Sequence, residues 1–157
     1  MIFATVGTTS FDELIEALDK TIQEDEVIIA QIGNGLYMPT DILFFRFSQS
    51  LAKWYEAADF IITSGGAGSL FECLKSNKPF LAVENKSVMG RHQRELLDYL
   101  SKHGFIFMWD DLSNIRLGIE QAKEFFPNRK ILNMMEYYSL LFIWMMDSDF
   151  WGNDIYG

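Results

Sequence analysis

The stretch ADFIITSGGAGSLFECL, residues 58–74, constrains the fold of this chain more than any other segment. Its apolar run Phe60–Thr63 predicts a buried strand, and the glycines after it predict a turn before a helix that opens at Ser69. Ser69 would cap that helix, and Glu72 would complete a capping box. In an α/β domain such a junction lies at the carboxyl end of a strand, where free N–H groups and the helix dipole favour an anion. The alternative is a tight turn that simply needs glycine.

Short apolar runs alternate with helical patterns along most of the chain. The runs predict strands at Ile2–Val6, Val27–Ile32, Ile42–Phe47, Phe60–Thr63, Pro79–Val83 and Phe105–Met108. Further helices are predicted after Ser10, which would cap the first one, and at Gln49–Ala58, Arg91–His103, Asp110–Phe126 and about Asn128–Met146. This alternation is typical of an α/β fold with a doubly wound, Rossmann-like parallel sheet. The loops Gly7–Ser10, Ser64–Ser69 and Glu84–Gln93 would then meet at the carboxyl ends of the strands.

Composition excludes several classes of function. With 157 residues, 49% of them hydrophobic and 22% charged, the chain suits one globular domain. A net charge of −9 repels nucleic acid, so we expect no nucleic-acid partner, and a bound anion would have to be held by backbone dipoles. The sequence has no His/Asp/Glu cluster at ligand spacing and only one cysteine, Cys73. Neither a metal nor a cofactor is therefore expected.

Two features concern the cellular compartment. No basic region precedes the first apolar run, which argues against a signal peptide. The apolar run Tyr137–Met146 is about half as long as the ~20 residues that a spanning helix needs. We therefore expect a cytoplasmic protein that does not cross a membrane by itself.

Four segments together match a known family: FATVGTTSFDELI at 3–15, QIGNG at 31–35, LAKWYEAADFIITSGGAGSLFECLKSNKPFLAVEN at 51–85 and HQREL at 92–96. In this order and spacing they resemble the C-terminal, donor-binding half of GT-B glycosyltransferases of family 28, over roughly residues 2 to 108. The resemblance is greatest to small single-domain members, which include catalytic subunits of split dolichol-linked N-acetylglucosaminyltransferases and their bacterial counterparts in polysaccharide synthesis. The chain would then form a single GT-B half.

The resemblance implies transfer of a sugar from a UDP-sugar to a lipid-linked acceptor, with inversion at the anomeric carbon. It implies that Gly66–Ser69 hold the donor diphosphate, that Glu72 hydrogen-bonds the ribose hydroxyls and that Gln93 contacts the donor sugar. The complete set of implied donor-binding residues is Gly7, Thr8, Thr9, Gly66, Ala67, Gly68, Ser69, Glu72, Asn85, His92 and Gln93. Without the resemblance, Glu72 would more simply be a helix cap or a solvated acid.

The chain also departs from the family pattern. Ser64, followed by Gly65, stands where the family usually has a histidine, and Gly90 and Arg91 replace an acid–asparagine pair. Serine cannot act as an acid, whereas Arg91 offers a phosphate contact. His92 is a candidate catalytic base, although a lone histidine at a helix start is more often a cap or a surface residue. The catalytic residue is otherwise unassigned, and we expect it on a partner chain.

We divide the chain into a donor-binding region, residues 1–127, and a C-terminal helix and tail of the same domain, residues 128–157. The apolar tail predicts a partner interface, or else a helix that folds back across the domain. The leading hypothesis is the donor-binding subunit of an inverting glycosyltransferase that acts with a membrane-anchored, acceptor-binding chain. The alternative is a non-catalytic nucleotide-sugar-binding or regulatory module. A dinucleotide oxidoreductase is disfavoured because the first turn is GTTS rather than G-x-G-x-x-G.

Overall fold

The computed structural model describes residues 1–87 and 91–127, apart from the side chains at 91 and 92. Strands and helices alternate in this part of the chain, and each predicted strand and the predicted α/β class are confirmed. The elements are β1 (Ile2–Thr5), α1 (Asp12–Thr21), β2 (Ile28–Gln31), β3 (Leu43–Phe45), α2 (Ala52–Ala57), β4 (Phe60–Thr63), α3 (Ala67–Ser76), β5 (Phe80–Val83), α4 (Arg91–Lys102), β6 (Phe107–Trp109) and α5 (Ile115–Glu124).

The described strands form one parallel sheet in the order β3-β2-β1-β4-β5-β6. Ile2 lies beside both Ile28 and Phe60, so the three central strands start level with one another. The order of the strands reverses between β1 and β4, which makes this the topological switch point of a doubly wound sheet. Ligands of such sheets bind in the crevice outside the carboxyl ends of the strands at this point.

Helices cover both faces of the sheet and divide the core into two layers. On one face, α1 and α5 pack over Ala4 and its neighbours on the central strands. On the other face, α2, α3 and α4 pack over Phe3. Because successive side chains of a strand point to opposite faces, β1 supplies both layers and is buried along its whole length.

Two predicted helix caps are wrong. The helix α1 begins at Asp12, and no described side chain caps it, because the buried ring of Phe11 occupies the residue before the helix and leaves Ser10 outside. The helix α3 begins at Ala67, two residues before the predicted start, because the buried Ala67 already has helical geometry. Ser69 therefore lies within the first turn and caps nothing.

Other boundaries differ by a few residues from the prediction. The strand β3 is shorter than Ile42–Phe47, and β6 lies two residues later at its start than Phe105. The predicted helix at 110–126 is a 3-10 turn, Leu112–Asn114, followed by α5, since the Asp111 side chain accepts a hydrogen bond from the Ser113 N–H at the start of that turn. The predicted helix from residue 128 lies outside the described residues.

A buried carboxylate holds the connection between β2 and β3 against α1. Asp19 accepts hydrogen bonds from the Tyr37 hydroxyl at 2.8 Å and from the backbone N–H groups of Thr40, Asp41 and Ile42 at 2.8–3.1 Å. Burial alone would raise the pKa of Asp19, but these hydrogen bonds outweigh it and lower that pKa below its ordinary value of 3.8. The carboxylate is therefore bound to the fold in its ionised form.

Candidate functional site

The loops that follow β1, β4 and β5 meet at the carboxyl edge of the sheet and enclose an open cleft of about 480 Å³. It is lined by Val6, Gly7, Thr8, Thr9, Leu51, Tyr55, Ser64, Gly66, Ala67, Gly68, Ser69, Glu72, Asn85 and Gln93. Every predicted donor-binding residue is in this set except His92, whose side chain lies outside the described residues. The structure thus brings the predicted residues together, while their individual roles in binding stay predictions.

The amino end of α3 opens into the cleft. Gly66 precedes the helix in an extended conformation, and no side chain of the described part caps the first turn. The N–H groups of the first turn have no partner within a helix, so they are available to a ligand. A Cβ added at Gly66 or Gly68 would meet no atom within 4 Å. The fold itself therefore does not need glycine at these two positions, and the bare backbone suits the close approach of an anion.

Gly65 is glycine for a different reason. Its φ is +71°, in the left-handed region, and a Cβ there would lie 2.9 Å from a side-chain carbon of Leu97. The backbone N–H of Ser64, one residue earlier, donates to the carbonyl of Thr5 at 3.1 Å. The turn is thus fixed between β1 and α4, and this fixes where α3 begins.

The Gly7–Thr9 loop faces that turn across the cleft. The N–H of Gly7 donates to Thr5 Oγ1 at 3.2 Å, and the Thr5 hydroxyl donates to Gln31 Oε1 at 2.7 Å. A Cβ added at Gly7 would lie 3.8 Å from Ser69 Oγ, so the two loops approach each other closely. The buried polar pair Thr5–Gln31 therefore supports the cleft from below, a role that the sequence analysis did not assign.

The QIGNG segment supports the same loop from outside the cleft. Asn34 donates from its side-chain amide to the Thr8 carbonyl at 3.0 Å and from its backbone to the Thr9 carbonyl at 3.2 Å. Gly33 has φ +53°, and a Cβ there would lie 2.2 Å from the Thr9 carbonyl oxygen. This motif is therefore structural, since it packs directly under the loop and leaves no room for a side chain at Gly33.

Asn85 lines the cleft, but both ends of its amide are engaged. Its Nδ2 donates to the Ser10 carbonyl at 2.8 Å, and its Oδ1 accepts from the backbone N–H of Ser87 at 3.1 Å and from the Ser87 hydroxyl at 2.6 Å. The side chain is also buried. Asn85 thus ties the loop after β5 to the loop after β1, and it shapes the cleft in this way.

Glu72 is the only acidic residue among the described residues that line the cleft. Its side chain is 56% exposed one turn into α3 and lies 3.3 Å from Lys75 Nζ, so it forms no capping box. Gln93 lies half-buried in the first turn of α4. Glu84, at the end of β5, contacts Arg94 Nη1 at 2.5 Å, and its charge is therefore already paired.

Two residues that line the cleft were not predicted as site residues: Tyr55, which lies on α2, and Leu51, which directly precedes that helix. Leu51 and Tyr55 form an apolar wall beside the start of α3. Burial raises the pKa of the Tyr55 hydroxyl well above its usual value, and the nearby Cys73 and Glu72 raise it further. The hydroxyl is therefore neutral over the physiological range. Leu51 and Tyr55 share one face of the predicted helix Gln49–Ala58, a spacing that by itself indicates packing and not a binding site.

No described group of three or more His, Cys, Asp or Glu side chains is arranged to hold a metal ion. Among the described helices, none combines the length and the apolar character that crossing a bilayer requires. The cleft residues of the described part also include no lysine or arginine. Among the described residues, an anion in the cleft would meet backbone dipoles, neutral polar groups and the single carboxylate of Glu72. The side chain of Arg91 lies outside the described residues.

The strand order, the switch point and the cleft beside a glycine turn define a doubly wound, Rossmann-like α/β domain with its site at the carboxyl edge of the sheet. The fold is similar to the NMR solution structure of ALG13, with a TM-score of 0.62 and 19% identity over 89% of this chain and 94% of that one. It is also similar to the crystal structure of the kitacinnamycin glycotransferase, with a TM-score of 0.60 and 17% identity over 92% of this chain and 38% of that one. Likenesses at this identity concern the fold.

The sequence places the chain more narrowly. It belongs to glycosyltransferase family 28, whose C-terminal domain matches residues 1–136. The human UDP-N-acetylglucosamine transferase subunit ALG13 is 37% identical over 120 residues, which cover 68% of this chain and 11% of that protein. This chain thus spans about a tenth of the length of its human relative. The family expected from the sequence motifs is confirmed.

Proposed function

We propose that this chain is the donor-binding, catalytic subunit of an inverting glycosyltransferase that moves a hexose, N-acetylglucosamine or another, from a UDP-sugar to a lipid-linked acceptor. A separate membrane-anchored subunit binds the acceptor. The chain itself is cytoplasmic and is held at the membrane through that partner. The observation that carries this proposal is the cleft, where an uncapped helix start, a bare glycine turn and one carboxylate meet.

The uncapped first turn of α3 suits a diphosphate. Ala67, Gly68 and Ser69 offer N–H groups together with the positive end of the helix dipole. Among the described residues these dipoles are the attraction for an anion, because no described lysine or arginine lines the cleft. Arg91, whose side chain lies outside the described residues, offers a further phosphate contact. Gly66 and Gly68 allow phosphate oxygens to reach the backbone.

The remaining cleft residues suit a nucleoside and a sugar. Glu72 lies one turn beyond the diphosphate position, and its carboxylate can accept hydrogen bonds from two ribose hydroxyls. Gln93 can both donate to and accept from sugar hydroxyls. The printed name of the human relative, a UDP-N-acetylglucosamine transferase subunit, supports this choice of donor.

The catalytic base is expected on the partner or on residues that the partner orders. An inverting transfer needs a base within hydrogen-bond reach of the acceptor hydroxyl. Glu72, the one acid among the described cleft residues, is assigned to ribose. Glu84, at the end of β5, does not line the cleft and is paired with Arg94. His92 is this chain's own candidate.

Binding is tested by calorimetric titration of the full chain with UDP, UDP-N-acetylglucosamine and other UDP-sugars, with ADP and GDP as matched controls. We expect UDP and at least one UDP-sugar to bind more tightly than either purine nucleotide. Equal affinity for all three diphosphates would indicate a general anion site and would contradict a UDP-sugar donor site.

Turnover is tested by assaying the purified chain with donor and lipid-linked acceptor, with and without the coexpressed product of the adjacent gene. We expect product only when the partner is present. Robust turnover by the chain alone would contradict the split enzyme, and its loss in His92→Ala would then assign the base to this chain. Donor binding without turnover under any pairing would favour the non-catalytic nucleotide-sugar-binding module, for which Ser64 in place of a histidine is the motive.

The segment 128–157, which lies outside the described residues, is proposed as the partner interface. The sequence ILNMMEYYSLLFIWMMDSDFW carries more large apolar residues than a monomer usually exposes to water. Methionine suits an adaptable contact surface. We expect truncation after Pro127 to abolish capture of the partner while UDP binding persists. A truncated, monomeric domain that still captures the partner would contradict this interface.

A further inference from the structure

The side chain of Tyr55 places a buried hydroxyl behind the wall of the cleft. Tyr55 is 7% exposed, and its ring packs edge-on against Phe3, with ring centroids 5.3 Å apart. The residue lines the cleft from α2, opposite the first two turns of α3. The apolar ring is therefore fixed in the core, and the position of the hydroxyl is fixed with it.

This hydroxyl has no hydrogen-bond partner among the described residues. The side chains of Ser69 and Cys73 interact weakly with this hydroxyl and shift the pKa of Tyr55, yet neither forms a hydrogen bond of ordinary geometry with its oxygen. A buried polar group without a partner destabilises a fold, and phenylalanine would fill the same space without that cost. Without a ligand, the Tyr55 hydroxyl therefore does not contribute to the stability of the fold.

The neighbour that connects Tyr55 to the cleft is Ser69. Ser69 is half-buried in the first turn of α3 and lines the same cleft. Its hydroxyl faces the Gly7 side, where a Cβ would be 3.8 Å away. A serine hydroxyl can accept one hydrogen bond and donate another, and it rotates to suit its partners.

We propose that Tyr55 is a positioning residue for a phosphate ligand: its O–H donates to Ser69 Oγ, which turns the Ser69 O–H towards a phosphate oxygen bound at the start of α3. This inference rests on the proposed UDP-sugar function and deepens it. The phosphate supplies the acceptor that completes the chain of hydrogen bonds. The buried hydroxyl is then unsatisfied only while the cleft is empty.

The test begins with Tyr55→Phe in the full chain, which removes only the hydroxyl. We expect the apparent melting temperature of the free protein to stay the same or to rise, because an unsatisfied polar group is lost. We expect the Kd for UDP to rise roughly 5- to 20-fold, from the loss of a hydrogen-bonded arrangement on a charged group. A purely structural hydroxyl would give the opposite pair, a lower melting temperature with unchanged UDP affinity, and would overturn the proposal.

A matched control is Thr63→Val. Thr63 also carries a buried hydroxyl without a partner among the described residues, but it does not line the cleft. We expect this variant to bind UDP within about twofold of the wild type. A loss equal to that of Tyr55→Phe would show that removal of any buried hydroxyl near α3 disturbs binding, and it would overturn the assignment to Tyr55.

Two further readouts separate a phosphate relay from other roles. Uridine lacks phosphate, so Tyr55→Phe should leave uridine affinity unchanged, and an equal loss for uridine and UDP would overturn the relay.

Ser69→Ala should remove the benefit of the Tyr55 hydroxyl, so the double variant should bind UDP about as Ser69→Ala does. Additive losses would contradict the relay. If the wild-type chain does not bind UDP, the proposed function fails and this inference fails with it.

Discussion

The two loops that face each other across the cleft are built in opposite ways. The Gly7–Thr9 loop is supported by Thr5 from below and by Asn34 from the side, and the carbonyls of Thr8 and Thr9 accept hydrogen bonds from Asn34. The first turn of α3 has no capping side chain in the described structure, and its glycines face open space. One side of the cleft thus provides a rigid surface, while the other leaves its backbone donors unsatisfied for a ligand.

A second cavity shows that size alone does not identify this site. A cavity of about 580 Å³ lies at the amino edge of the sheet, between the start of the chain and the loop before β2. It is larger than the cleft, but its lining is acidic, with four carboxylates against two cations, Lys123 and the N-terminal ammonium. The acids are Glu24, Asp25, Glu26 and Asp59. These acids would repel a diphosphate, so charge favours the smaller cleft at the carboxyl edge.

The largest effect on stability is expected for a substitution at Gly33, which packs under the Gly7–Thr9 loop. In Gly33→Ala, the new Cβ would clash with the Thr9 carbonyl oxygen in a left-handed conformation, and we expect a loss of about 3 kcal/mol or more in the free energy of unfolding. Urea denaturation measures this. The matched variant Gly66→Ala has open space and should change stability by under about 0.5 kcal/mol. Equal stability of the two variants would remove the contrast between the loops.

The next effect concerns Asp19, which holds the segment after the QIGNG motif. Asp19→Asn should destabilise the protein by about 2–3 kcal/mol at pH 7, because the carboxylate accepts several buried hydrogen bonds. The pKa of Asp19 is lowered in the folded state, so its contribution is present above pH 3.8 and is lost as the pH falls below that value.

Denaturation of wild type and Asp19→Asn from pH 7 to pH 3 measures this dependence. The stability difference between them should narrow at the acid end. The exposed Asp25 offers a matched control, since Asp25→Asn should leave stability nearly unchanged. A difference between wild type and Asp19→Asn that stays constant with pH would contradict the role of the ionised carboxylate.

On the open side, Glu72→Ala should weaken UDP binding by roughly 1–3 kcal/mol, the range for a lost charge-assisted hydrogen bond. Stability should change little, because the side chain is exposed. Calorimetric titration of UDP measures the first effect and urea denaturation the second. Glu56→Ala, an exposed acid on α2 that does not line the cleft, is the matched control. Unchanged affinity in folded Glu72→Ala would make Glu72 a solvated acid.

The smallest effect is expected for Lys75→Ala. Its ion pair with Glu72 is exposed and three residues apart on α3, so its loss should cost under about 0.5 kcal/mol of stability. UDP affinity should stay within about twofold, since Glu72 does not need Lys75 to accept hydrogen bonds from ribose. A large loss of UDP affinity in Lys75→Ala would mean that the ion pair, and not Glu72 alone, contributes to binding.

The parts of the site that were predictable are those encoded by local pattern. Buried strands read as apolar runs, and a glycine turn between a strand and a helix indicates the carboxyl edge of a parallel sheet, so the grouping of the cleft loops followed from sequence. The family of the chain followed from the order of four motifs. Both predictions use information that lies within one stretch of sequence, namely the residue pattern of a strand and turn or the wording of a motif.

The parts that were missed depend on contacts between distant segments. The role of Asn34 arises from its hydrogen bonds to a loop 25 or 26 residues earlier, and that of Asp19 from a segment 18 to 23 residues later. The cap positions were wrong because burial of Phe11 and Ala67, and not the capping propensity of serine, decides where the helices begin. Tyr55 has the spacing of a core residue, and only the packing of α2 against α3 places its hydroxyl beside the cleft.

Because the start of α3 offers main-chain donors, few point mutations can remove them. A backbone N–H belongs to every residue except proline, so most substitutions at Ala67 leave this donor in place, and the anion site can persist while its side chains diverge. Ala67 is the first residue of the helix, where proline is tolerated, and Gly66 before it already has the extended geometry that proline requires, with φ −64° and ψ 136°. Proline at residue 67 is thus the rare point mutation that deletes a single main-chain donor and leaves the helix in place.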